Sequence, residues 1–115
     1  MQKNNHDEYQ RLVSLFWHNY LSILVKFSIP AKIRPWYRKH VEEYISAHQG
    51  VKLKHHTAQN LSDYLNAKGR TESLSEWRFR QIADALRLFF KEFICTQWSS
   101  DYDWYQWDKT IAPHA

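Results

Sequence analysis

Only two glycines, Gly50 and Gly69, occur in the 115 residues of this chain. A sheet domain with many tight turns, or a loop that cradles a phosphate, needs several residues able to take positive φ. A chain so poor in them is confined to long elements with few tight reversals, and helices are the expectation. A hydrophobic share of 43% and a charged share of 24% are those of a globular chain and not of a disordered or collagen-like one. The length suits a single domain, which buries about two thirds of the surface its unfolded chain would expose. A deep pocket is therefore not expected, and a self-sufficient enzyme is disfavoured.

Apolar spacing divides the chain into four segments. Leu12, Val13, Phe16, Tyr20, Ile23, Leu24 and Phe27 recur every three or four residues, which predicts a first helix from Asp7 to Phe27 that stops before Pro30. Pro35 near a first turn and Gly50 just past a last one bound a second, with Trp36 or Tyr37, Val41, Tyr44 and Ile45 inside. Thr57 can cap a short third helix that buries Leu61, Tyr64 and Leu65 and ends at Gly69. The fourth starts after Thr71 or Ser73, with Ser75 as another possible cap. It gathers Phe79, Ile82, Ala83, Leu86, Phe89, Phe90, Phe93 and Ile94 into one sector. Trp77 and Leu88 fall on the opposite face, where a second packing surface is favoured over an exposed interface. The closing stretch WSSDYDWYQWDKTIAPHA sets Trp98, Trp104 and Trp107 among Asp101, Asp103 and Asp108, and it either docks as a tail or leads to a neighbouring domain. The expected architecture is an all-α, compact four-helix bundle with an aromatic C-terminal tail.

The formal charge of +4 is unevenly spread: residues 30–56 hold six bases and two acids, residues 97–115 one base and three acids. Lys32, Arg34, Arg38 and Lys39 cluster at the start of the second helix, and Lys52 and Lys54 follow it. Lys68 and Arg70 form a loop cluster, while Arg78, Arg80, Arg87 and Lys91 decorate the fourth helix outside its apolar sector, with Asp84 among them. Cations at helix starts and loops suit phosphate. Nucleic-acid binding leads the functional readings, ahead of a solvated basic face and a small helical protein-interaction module.

Catalytic chemistry finds little footing. His55 and His56 are adjacent and diverge, so they make no helical metal pair, and His18, His40 and His48 are scattered surface or packing residues. Glu42 and Glu43 diverge on a helix, and Asp101 and Asp103 lie in irregular sequence. Cys95, the one cysteine, reads as a small buried hydrophobe, and alone it excludes an internal disulfide or a zinc site needing two thiolates. No catalytic, metal-binding or cofactor-binding residue is expected. The longest apolar run, Leu21 to Val25, is far too short to span a bilayer, and no leader pattern precedes it, so a cytoplasmic domain is expected, with no membrane partner.

The blocks IPAKIRPWYRKHVEEYISAHQG, HTAQNLSDYLNAKGR, LSEWRFRQIADALRLFFKEFI and DWYQW together resemble the N-terminal, SAM-like core-binding domain of tyrosine recombinases of the phage integrase family, most closely the integron-integrase-like branch. The similarity spans about residues 29–108. It implies an N-terminal helix over 1–28, a main helical DNA-binding region over 29–96, and an aromatic, acidic tail over 97–115 leading toward a separate catalytic domain. By the resemblance, such a domain clamps duplex DNA of a recombination site without catalysing strand exchange. The catalytic tyrosine would belong to the other domain, and further protomers would be partners when the enzyme assembles on DNA. The matching DNA-facing positions are Lys32, Arg34, Arg38 and Lys39, then Lys68, Arg70 and Thr71, then Trp77, Arg78, Arg80 and Gln81, with Gln81 and Arg78 as candidates for reading base edges. Tyr37, Tyr44 and Tyr64 lack an activating arginine and histidine set and read as core or interface aromatics.

Overall fold

The computed structural model describes residues 5–69 and 74–108, and among them the chain is all-α, with five α-helices and no strand. Helix α1 (Asn5–Lys26) carries Asp7 and Glu8 in its first turn and Lys26 in its last, which complements the helix dipole at both ends. It closes in a Schellman turn: Ile29 N–H bonds the Leu24 carbonyl at 2.9 Å and Ser28 N–H the Val25 carbonyl at 3.0 Å. Ser28 takes φ of 64° there, a conformation that glycine usually supplies.

Helix α2 (Arg34–Ala47) starts with Pro35 in its first turn. Tyr37, His40, Val41 and Tyr44 are its buried residues, so Tyr37 and not Trp36 is the inward aromatic. Gly50 at φ of 89° lets the chain leave α2, and a 3-10 turn at Leu53–His55 leads to α3 (Ala58–Gly69). Thr57 and Asn60 cap α3 reciprocally: Asn60 N–H bonds Thr57 Oγ1 at 3.1 Å and Thr57 N–H bonds Asn60 Oδ1 at 3.0 Å. Helix α4 (Glu76–Arg87) is capped by Ser75, whose Oγ accepts from Arg78 N–H. Thr71 and Ser73, the other expected caps, lie outside the described residues.

The fourth helix departs from expectation at its centre. It does not run on as one α-helix to Ile94 but widens at Leu88 into a π-helical segment, Leu88–Ile94. Leu88, Phe89 and Phe90 are all fully buried. Three successive residues of an α-helix fan out over about 200°, so one packed face cannot hold them all. Here α1 and α5 (Gln97–Asp101) both pack on the segment, and Leu88 is buried, as packing on that opposite face requires. Trp77 is not; it is 60% exposed. Cys95 corrects another expectation: it is exposed, because it ends the π segment in the left-handed conformation at φ of 60°, with Thr96 N–H returning to the Phe90 carbonyl at 3.1 Å.

The aromatic tail docks. Ser99 Oγ shares its proton between the Thr96 carbonyl at 2.7 Å and the Phe90 carbonyl at 3.0 Å, Trp104 Nε1 donates to the Ser99 carbonyl at 2.9 Å, and Trp107 Nε1 to the Tyr102 hydroxyl at 3.2 Å. The Tyr102 hydroxyl also lies 2.6 Å from Ser62 Oγ on α3. Trp104 and Trp107, in a 3-10 turn at Trp104–Asp108, are buried, and the Trp107 ring packs against Phe79 of α4. Trp104 and Trp107 thus bury a large apolar surface while their N–H groups find acceptors.

Two stability outcomes follow. Trp107→Ala lowers the unfolding free energy by about 3–5 kcal/mol in urea titrations, the range for a large aromatic deleted from a core. Ser28→Gly raises it by about 0.5–1 kcal/mol, because relief of left-handed strain exceeds the added freedom of the unfolded chain.

Candidate nucleic-acid interface

Helices α2 and α4 pack side by side, joined by two polar bonds that run from the first two turns of α2 to the centre and last turn of α4. His40 Nε2 lies 2.7 Å from Gln81 Oε1, and because an amide oxygen can only accept, that ring nitrogen carries the proton. One turn back along α2 and one turn on along α4, the Tyr37 hydroxyl donates to Asp84 Oδ2 at 2.7 Å, and Asp84 also takes Nε and Nη2 of Arg87 on its other oxygen. The pairing fixes what stands above it.

Above lies a row of alternating cations and indoles. Lys39 Nζ is 5.3 Å from the centroid of the Trp36 ring, and the Arg78 guanidinium is 5.8 Å from Trp36 and 5.3 Å from Trp77. Trp36 is 45% and Trp77 60% exposed. Exposed indoles of this size, each under a cation, hold the charged groups over a flat apolar surface.

The structure sorts the basic residues read from the sequence into groups facing different ways. Lys39, Trp77 and Arg78 come together. Lys32 is exposed in the turn before α2. Lys68 sits at the end of α3, 3.8 Å from Glu43 and 5.6 Å from the Tyr64 ring. Arg70 and Thr71 lie outside the described residues. Arg34 and Arg38 turn toward α1: Arg34 Nε donates to the Ile29 carbonyl, while Arg38 donates to Glu42 and lies 4.8 Å from the Trp17 ring. Arg80, Arg87 and Lys91 line a separate cleft of about 440 Å³ between α4 and the tail. There Arg80 pairs with Glu76 and reaches the Asp108 carbonyl, and Arg87 pairs with Asp84. Gln81 is half-buried with its amide oxygen committed to His40, so a bidentate pairing with a base edge would require breaking that bond.

Trp36 is the member that sequence reasoning missed. Its signal was the buried set Tyr37, His40, Val41 and Tyr44, which leaves Trp36 and Lys39 as outward neighbours at three-residue spacing.

The histidines and tyrosines beneath are packing groups. The Tyr44 hydroxyl donates to His56 Nδ1 at 3.0 Å, while His56 Nε2 faces the Val51 carbonyl at 3.3 Å. Burial pushes both His40 and His56 below the ordinary imidazole range. Burial likewise raises the phenols of Tyr20, Tyr37 and Tyr44, and that of Tyr64 to about 12, the opposite of what a tyrosine nucleophile needs.

Comparison with protein-family models, curated proteins and solved structures finds no match to this chain.

The buried imidazoles give the fold a pH signature. Each binds a proton more readily in the unfolded chain, so the unfolded state takes up more protons below about pH 6.5 and stability falls as the pH drops through that window. Urea midpoints measured at pH 7.5, 6.5 and 5.5 decrease in that order, and His40→Gln/His56→Gln shows a flatter dependence.

Proposed function

We propose that this chain is a non-catalytic DNA-binding domain that holds duplex DNA through the α2–α4 face. The observation that carries this reading is the row Lys39, Trp36, Arg78, Trp77, in which two helix starts bring two cations and two exposed indoles together. Lys39 and Arg78 contact backbone phosphates, and the indoles pack against sugars and groove walls. This role agrees with a SAM-like core-binding domain of the tyrosine recombinase kind, in which strand exchange is performed by a separate domain. The rival protein-interaction reading drew on Trp77, Leu88 and the DWYQW stretch; Leu88, Trp104 and Trp107 are buried in this domain's own core, while Trp77 and Tyr105 remain exposed.

Fluorescence anisotropy of a labelled duplex titrated at 50 and 200 mM salt tests the proposal. Binding weakens steeply with salt, and Lys39→Gln/Arg78→Gln loses at least about tenfold in affinity and about two units of salt slope. Arg80→Gln, whose guanidinium already has partners within the fold, changes affinity less than either single replacement on the face. Absence of salt-sensitive binding, or an unchanged double variant, overturns the reading.

A further inference from the structure

A second recess lies away from the α2–α4 face, between the C-terminal half of α1 and the start of α2. It is an open recess of about 580 Å³ with an apolar floor: Trp17, Leu21 and Leu24 from α1 and Pro35 from α2. Arg34 and Arg38 line the same recess, and none of the described residues that line it is acidic. Each arginine uses its Nε within the fold, Arg34 on the Ile29 carbonyl at 2.8 Å and Arg38 on Glu42 at 3.1 Å. Those bonds hold the guanidinium planes while leaving the terminal Nη pairs, the fork that takes a carboxylate.

An apolar floor beside two guanidinium groups, with Glu42 paired to Arg38 from outside the lining, complements a molecule with an aliphatic body and a negative head. The volume of the recess falls within the roughly 300–1,000 Å³ of small-molecule sites. We propose that this recess binds a carboxylate-headed aliphatic molecule, its chain along Trp17, Leu21 and Leu24 and its head on Arg34 and Arg38. Arg34 and Arg38 are then ligand-binding residues and not part of the phosphate-contacting row, a division the α2 helix makes by turning Lys39 to the other side. Leu21, 40% exposed in this structure, is covered when the chain is bound.

Dodecanoate, kept below its micelle-forming concentration, is the probe, with dodecyltrimethylammonium as the matched cation. Calorimetry on the intact chain is expected to give one saturable dodecanoate site, with the cation bound about tenfold more weakly or worse, the scale of a charge-assisted hydrogen bond. The Trp17 indole N–H resonance shifts on titration. Arg34→Gln/Arg38→Gln abolishes the head-group preference; should that variant fail to fold, Leu21→Gln at the exposed rim weakens dodecanoate binding several-fold. Lys39→Gln/Arg78→Gln leaves it unchanged, so the DNA reading and this one fail separately. Head-group-independent binding, no saturable site, or an unmoved Trp17 resonance overturns the proposal, as does an acidic amphipathic peptide that occupies the recess where dodecanoate does not.

Discussion

Leu88, Phe89 and Phe90, three successive side chains with no solvent exposure, set the constraint to which the rest of the structure answers. A helix that buries three residues in a row must be covered from more than one side. The π-helical widening at Leu88 turns the chain so that α1 and α5 can both reach it. The Tyr20 hydroxyl marks the junction, donating to the Ala85 carbonyl at 2.9 Å just before the helix changes pitch. Around it, Phe16, Tyr20, Phe89 and Phe93 meet in edge and tilted ring contacts that join α1 to the segment. On the other side Phe90 contacts Tyr44, His56 and Trp98, so the same segment organises α2, the loop beyond it and the tail.

Because the core consumes so much of the aromatic content, the aromatic residues left outside stand out. Trp36 and Trp77, in the first turns of α2 and α4, remain exposed, with Lys39 and Arg78 over them. Beneath them buried His40 bonds half-buried Gln81, which fixes α2 against the middle of α4. The rigidity of the face is therefore inherited from the core. The recess between α1 and α2 depends on the same packing, since α2 presents Lys39 to one side and Arg34 and Arg38 to the other. One short helix thus serves two surfaces of different chemistry: a charged, flat one and an apolar one edged with guanidinium groups.

Much of this was legible in the residues. Scarcity of glycine together with three- and four-residue apolar spacing determined that the chain is helical, and Thr57, Ser75 and Pro35 marked starts that the structure keeps. These are local signals, in which a side chain caps its own helix or a ring fixes its own φ. What the sequence could not determine was long-range. Whether Trp36 or Tyr37 turned inward depended on α4 offering Asp84 as a partner to the Tyr37 hydroxyl. Whether the tail docked depended on Phe79, Phe90 and Ser62 lying where Trp107, Ser99 and Tyr102 could reach them. A basic cluster read along the chain cannot reveal that its members face apart, because the neighbour packed against each helix face decides which cations share a surface. Composition and periodicity established the helices of this protein; only tertiary packing decided which of their faces remained free for a ligand.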